Sequence, residues 1–329
     1  MEQVPPPALT AAQISDLLTY IKLPKALHNA PPTPELLKTL HKYMIAACPY
    51  ENLSLHYGPS HTINVDPQHM FRKIVVDNRG RGGYCMEVAI LYNHLLRGLG
   101  FTAYTAGART RKRYEGVPKG EYPGWVHITS IVSFPPPSPG AVPERYAVDV
   151  AFGGDGPTAP LPLVPGYIHQ NLGAQQVRLV RDWIPAQVHR TEESKSWIYQ
   201  YRNGEDREWN SYYCFTETEF TPDDWEVVNW YTSLNSNSFQ TTMVLINKFL
   251  GRPTDDGEME IYGKRMLVDG VVKENLGGKT QIIEVCNTEA ERTAAIAKHF
   301  GIFLTEDESN AIRGWRTEII AKKLRDKPC

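Results

Sequence analysis

Asn78-Arg79-Gly80-Arg81-Gly82-Gly83-Tyr84-Cys85-Met86-Glu87 runs from a glycine-rich turn straight into an apolar-periodic segment, and the rest of the chain is ordered around it. Val88, Ile90, Leu91, Leu95, Leu96 and Leu99 recur at roughly helical intervals, and Gly98 and Gly100 supply stop signals. The pattern predicts a helix with Cys85 in its first turn. Unpaired backbone N–H groups, the positive end of the helix dipole, and Arg79 and Arg81 all favour a thiolate at that place. Gly82 and Gly83 admit close approaches that a side chain would block. The same residues also fit a plainer reading, in which Cys85 is a small buried hydrophobe, as most cysteines are.

Upstream, helix starts are written into the sequence. Thr10 and Gln13 have capping-box spacing ahead of Ile14, Leu17, Leu18 and Ile21. Thr33-Pro34 is an N-cap with proline at the first helical position before Leu36, Leu37, Leu40 and Met44, and Asp66-Pro67 repeats the device before Met70, Phe71, Ile74 and Val75. Residues 1–100 therefore read as a helical bundle that carries the cysteine. Within it, Cys48-Pro49-Tyr50-Glu51-Asn52-Leu53 reads as an irregular, mostly polar turn. Glu51 is either a solvated carboxylate or a group that holds a loop by charge-assisted hydrogen bonds.

Downstream of Phe101 the texture changes to short runs of β-branched and aromatic residues between turn signals. Strands are predicted at 101–109, 125–134, 145–152, 176–183, 196–202 and 212–219, so residues 101–220 form an antiparallel sheet or barrel. The proline-rich segment 135–143 is a stiff connection between two of these strands. Alternation puts Trp125, His127, Thr129 and Ile131 on one face, and Ala147, Asp149 and Ala151 on one face of the next strand. If the two strands pair, His127 and Asp149 lie side by side. An aspartate among Tyr146, Val148, Val150 and Phe152 needs a partner, and a purely structural Asp–His pair satisfies that need as well as a functional one.

Residues 221–329 begin with Thr221-Pro222, an N-cap and first-turn proline before Asp223 and Asp224. Strands follow at 241–249, 259–268 and 280–285. Capping boxes at Thr288/Glu291 and Thr305/Glu308 start two more helices, and Gly301 stops the first. The part reads as an interdomain helix and an α/β lid domain. The whole is an α+β multidomain chain.

Composition narrows the function classes. The 329 residues are 41% hydrophobic with a net charge of -2, which gives no global pull toward nucleic acid or an acidic membrane surface. Cys48, Cys85, Cys214, Cys286 and Cys329 are odd in number and show neither a disulfide framework nor metal spacing. The first residues carry no signal-peptide pattern and no run of 18 apolar residues occurs; a reduced, cytoplasmic protein is expected. The glycine-rich stretches 80–83 and 153–156 lack both GxGxxG and the Walker lysine, which argues against a nucleoside triphosphate site.

Taken together, Arg81-Gly82-Gly83-Tyr84-Cys85-Met86-Glu87, Pro49-Tyr50-Glu51-Asn52-Leu53, Gly124-Trp125-Val126-His127 and Val148-Asp149-Val150-Ala151-Phe152-Gly153 resemble, in order and context, the signatures of arylamine N-acetyltransferases. The resemblance implies that family's fold: an N-terminal helical bundle, a central antiparallel β-barrel and a C-terminal α/β lid. It implies a Cys–His–Asp triad on Cys85, His127 and Asp149, with Glu51 and Arg81 in support and Gly124, Trp125 and Phe152 near the substrate and coenzyme approach. Three departures stand out. Tyr50 replaces the usual phenylalanine, Ala151 stands where glycine is common, and the segment 135–143 lengthens the connection between the histidine and aspartate strands.

The activity so implied is transfer of an acetyl or similar short acyl group from acyl-CoA to an arylamine or arylhydrazine, as in xenobiotic metabolism. Acetyl-CoA, propionyl-CoA and malonyl-CoA are all open as cosubstrates, and no permanently bound cofactor or metal is implied. Such amines are weak nucleophiles, and a thiolate divides the reaction into two thioester-level steps. His127 holds the Cys85 proton and later takes one from the amine, while Asp149 fixes the imidazole tautomer. The backbone N–H of Cys85 is a candidate oxyanion donor. The same triad also serves cysteine hydrolases and transglutaminase-like enzymes, which is the alternative reading. Near the C-terminus Arg313, Arg316, Lys322, Lys323, Arg325 and Lys327 outnumber Glu318 and Asp326; this is a solvated basic helix or a long-range attractor of coenzyme A phosphates.

Overall fold

The computed structural model describes residues 5–136, 138, 140–255 and 257–320. The expected helix starts are where the caps put them. Thr10 and Gln13 close a capping box on Ala11–Tyr20, and Thr33 Oγ1 accepts from Leu36 N at 3.2 Å to open Pro34–Ala47. Asp66 caps Pro67–Phe71 through His69 N at 2.8 Å. The helix then widens into a π-helical turn over Arg72–Val76. Lys73, near its start and three residues after the buried Met70, is buried as well.

The helix Cys85–Gly98 is the central rod of this part, and Met86, Val88, Leu91, Leu95 and Leu96 are all shielded from water. Each large apolar side chain so buried contributes about 1.5–3 kcal/mol before entropy is counted. Its far side packs on the strands Thr102–Thr110 and His127–Ser133.

Those strands belong to an eight-stranded antiparallel sheet. In spatial order it runs Leu161–Pro162, Arg145–Val148, His127–Ser133, Thr102–Thr110, Asn210–Glu219, Ser196–Arg202, Gln176–Asp182 and Ile168–Gln170. Leu161 from one edge shares a core with Val177 and Leu179 near the other, so the sheet curls into a nearly closed barrel. Aromatic residues fill the inside, with Tyr199 and Tyr213 stacked at 4.6 Å.

A second, five-stranded sheet has the order Tyr50–Glu51, Leu245–Pro253, Met259–Val268, Val271–Asn275 and Gln281–Val285. The helix Glu289–Phe300 covers it, with Ala295, Ile296 and Phe300 packed on Val244, Ile246 and Leu267. Two sequence expectations are corrected here. Residues 50–51 are not part of an irregular polar turn: they form an edge strand whose register is Tyr50 on Asn247 and Glu51 on Ile246. The strand expected from Thr241 starts instead at Leu245, because Ser238 caps a short helix Phe239–Thr242. No helix among the described residues is long and apolar enough to cross a membrane.

Candidate active site

Cys85 is the first residue of its helix, and the turn that delivers it is compressed between other segments. Glu87 accepts from Tyr84 N at 3.1 Å and closes the helix start. A Cβ placed on Gly82 would lie 1.9 Å from the Pro49 carbonyl oxygen, so no side chain fits there. Glu51 N donates to Gly83 O at 2.9 Å, which ties the edge strand to the turn.

Below this turn lies a buried ionic network. Arg81 Nε donates to Glu51 Oε1 at 2.9 Å, and Glu51 Oε2 accepts from Leu53 N at 2.6 Å. Lys73 Nζ lies 2.6 Å from Glu87 and 3.6 Å from Glu51. Burial alone would raise the Glu51 pKa, but the charges of Arg81 and Lys73 and the hydrogen bonds from Arg81 and Leu53 overcome it and hold the carboxyl down at about 2. Glu51 is therefore the loop-holding group and not a solvated carboxylate. On the outer side Glu308 accepts from Arg81 Nη1 at 2.7 Å and also binds Arg79, fastening the C-terminal part to the turn.

The histidine and the aspartate come from adjacent strands, with a correction to their expected alignment. Val148 pairs with Ser130 and the strand ends there, so Asp149 follows the last paired residue and reaches His127 diagonally. His127 Nε2 and Asp149 Oδ2 are 2.7 Å apart, and Asp149 Oδ1 accepts from Ala151 N at 3.0 Å. The Cys85 sulfur lies beside the same imidazole, whose Nδ1 is the nitrogen that Asp149 leaves free. The sulfur also lies 3.9 Å from Val126 O. All three residues are at least 97% buried.

Burial works against a charged His127. The charge and hydrogen bond of Asp149, helped by the Cys85 sulfur, outweigh it and hold the imidazole up at about 10. An imidazolium beside a sulfur at a helix N-terminus suits a thiolate. The arrangement can deliver a nucleophile, take back a proton and keep bulk water away.

Of the other expected site residues, Phe152 joins the group, with its ring 5.1 Å from that of His127. Gly124 is exposed and nothing lies within 4 Å of the place a Cβ would take. Trp125 sits under the Arg109 guanidinium at 3.9 Å and edge-on to Phe220 at 5.4 Å, so its contacts are with those residues. Lys322, Lys323, Arg325 and Lys327 of the basic stretch, like Cys329, lie outside the described residues. Sequence reading missed Tyr213, whose ring packs 5.5 Å from that of His127. It also missed Lys73, Glu87 and Gln240. Tyr213 alternates inward on a strand whose partners were unknown, and Lys73 is held inside by Glu87 and Glu51, acidic partners that only the fold supplies. Among the described residues no group of three or more His, Cys, Asp or Glu side chains is placed to hold a metal ion.

Comparison with known proteins gives the family and the fold. A family model described as N-acetyltransferase matches residues 33–309. Over 333 residues the chain is 33% identical to an N-malonyltransferase of Fusarium pseudograminearum, covering 93% of each protein. It is 27% identical over 293 residues to an arylamine N-acetyltransferase of Mycolicibacterium smegmatis, covering 88% of this chain and 93% of that one. The fold matches the Mycobacterium marinum arylamine N-acetyltransferase in complex with CoA at a TM-score of 0.71, with 23% identity over 93% of this chain and 98% of that one.

Proposed function

This chain belongs to the arylamine N-acetyltransferase family, and from that premise we propose that it carries a short acyl group from acyl-CoA to an arylamine or arylhydrazine nitrogen through a thioester on Cys85. The observation that carries the reading is the 2.7 Å His127–Asp149 contact beside a buried, helix-initiating cysteine. The relatives bear on the donor. One is named for malonyl transfer and one for acetyl transfer, so both acyl groups belong to the reading.

The reaction balances on these residues alone. The Cys85 thiolate attacks the thioester carbonyl, the bond from that carbon to the coenzyme sulfur breaks, and the departing coenzyme thiolate takes the His127 proton. His127 is then neutral. The amine nitrogen attacks the acyl-Cys85 carbonyl, the bond to Cys85 sulfur breaks, and the proton lost by the nitrogen returns to His127. Asp149 stays ionised throughout and holds the ring so that Nδ1 faces the sulfur. Burial of the triad protects the thioester from hydrolysis between the two halves.

Acyl-CoA mixed with the protein in the absence of amine should release about one equivalent of coenzyme A in a burst. One acyl mass should appear on the peptide that contains Cys85, and initial-rate plots at several amine concentrations should be parallel. Intersecting plots with no acyl mass on Cys85 would mean direct transfer in a ternary complex and end this reading.

A further inference from the structure

Hydrogen-bond directions around Tyr50 leave the proton of its buried hydroxyl uncommitted. Leu245 N donates to Asn52 Oδ1 at 2.8 Å, so the Asn52 amide must face outward with its Nδ2. That nitrogen donates to Met243 O at 2.8 Å, Gln240 O at 3.0 Å and Gln240 Oε1 at 3.3 Å. With its oxygen accepting from Asn52, Gln240 turns its Nε2 to the Tyr50 hydroxyl and donates to it. An amide nitrogen has no lone pair to accept. The Tyr50 O–H proton is therefore aimed elsewhere, and no acceptor for it occurs among the described residues. Burial, with Cys85 nearby, pushes the phenol pKa well up, so the proton stays on the oxygen.

The position of this ring matters as much as its proton. Tyr50 pairs with Asn247 on one side and bridges to Gly83, two residues before Cys85, on the other. Its Cγ lies 3.8 Å from where a Cβ on Gly153 would stand, just past Phe152. The ring is thus held between the cysteine turn and the loop that follows Asp149, with its hydroxyl on Gln240. Two cations from other strands, Arg113 and Lys264, gather at the same loop. Asp155 is paired with both Arg113 and Lys264, so two cations meet one carboxylate, and Lys264 also donates to Gly154 O.

We propose that the Tyr50 hydroxyl is a specificity-determining donor for the acyl group on Cys85, and that the acyl group it selects bears a carboxylate of its own, as a malonyl group does. This rests on the acyl-thioester reading given above. A carboxylate oxygen accepts a charge-assisted hydrogen bond from the phenol in a water-poor setting, and the two cations at the loop favour its charge. An acetyl or propionyl group offers only carbon beyond the carbonyl and leaves the buried O–H unpaired. Such a mismatch is worth about tenfold or more in discrimination.

The test is a donor panel of acetyl-CoA, propionyl-CoA and malonyl-CoA on the full-length enzyme and on Tyr50→Phe, with one arylamine and with acyl mass on Cys85 followed in parallel. Propionyl matches malonyl closely in size and lacks the carboxylate. Ratios between donors within one sample do not depend on how much enzyme is folded. Wild type should favour malonyl over propionyl, and Tyr50→Phe should lower kcat/KM for malonyl-CoA about tenfold or more while the other two change about twofold or less. An equal fall for all three donors would mean that the hydroxyl serves the shared thioester carbonyl, and an unchanged kcat/KM for all three would mean that it serves none; either overturns the inference and leaves the thioester reading standing. No acyl mass from any donor would instead remove that reading, and the inference with it.

Discussion

Asp149 Oδ2 meets His127 Nε2 at 2.7 Å although the two residues are not register partners, because the aspartate's strand stops at Val148 and its next residue turns toward the histidine. Ala151 N holds the other carboxylate oxygen at 3.0 Å, which fixes how a replacement amide would sit. In Asp149→Asn the side-chain oxygen keeps Ala151 N, and the amide nitrogen then faces Nε2. Nε2 must accept, the ring proton moves to Nδ1, and the lone pair that serves Cys85 is lost. The variant should fold and lose turnover by about 10⁴-fold, as when the same change is made in a serine-protease triad. Retention of activity within about tenfold would remove Asp149 from the mechanism.

Alkylation separates Cys85 from the other described thiols. Burial pushes Cys48 and Cys214 up to about 12 in spite of Lys248 and Arg109, and it raises Cys286 as well. Cys85 alone opens a helix and touches an imidazole held in its charged form. Iodoacetamide at neutral pH should modify Cys85 ahead of Cys48, Cys214 and Cys286, and prior acylation by acyl-CoA should block it. Even labelling of the four would contradict the assignment of the nucleophile.

The helices and the cysteine turn were readable because each depends on neighbours in sequence. Thr10, Thr33 and Thr305 meet their own backbone three residues on, and Gly301 ends its helix in the left-handed region by itself. Tyr50 and Glu51 were not readable as a strand, since their partners Asn247 and Ile246 lie nearly two hundred residues away. Nor was the diagonal reach of Asp149, which follows from where a strand ends. Glu51 and Lys73 illustrate the same limit. Both look like surface charges in the sequence, and only the partners Arg81 and Glu87 explain their burial.

Glu51→Gln should reveal the ionic network through pH. The folded carboxyl titrates at about 2, held there by Arg81 and Lys73 against the penalty of burial. An unfolded glutamate titrates near about 4.3. A depressed carboxyl gives stability that is complete above the unfolded value and is lost as pH falls through the folded one. Removing the charge leaves Arg81 and Lys73 buried without their full set of partners, at a cost of about 3–5 kcal/mol near neutrality. The gap between wild type and variant in urea unfolding should stay level from pH 8 to about pH 5 and narrow on further acidification. A gap that is flat down to about pH 3 would show that Glu51 contributes through shape alone.

Gly80→Ala tests whether the C-terminal clamp shapes the cysteine turn. Gly80 has φ of +71°, and a Cβ there would fall 1.9 Å from the Gly301 carbonyl oxygen. Around this contact Phe303 N donates to Arg79 O at 2.9 Å, Arg79 Nη1 donates back to Phe303 O at 3.0 Å, and Glu308 binds Arg81. A methyl group must lift the 301–308 segment off the turn. The left-handed backbone adds its own penalty for alanine, and the two together should cost about 2–5 kcal/mol in urea unfolding. Because Arg81 also carries Glu51, the displacement should reach Cys85, four residues on, and lower the rate of acylation in protein that remains folded. Gly124→Ala is the matched control: its Cβ meets nothing within 4 Å, so stability should change by less than about 0.5 kcal/mol. If Gly80→Ala kept wild-type acylation and stability, the clamp would be a contact without consequence for the site.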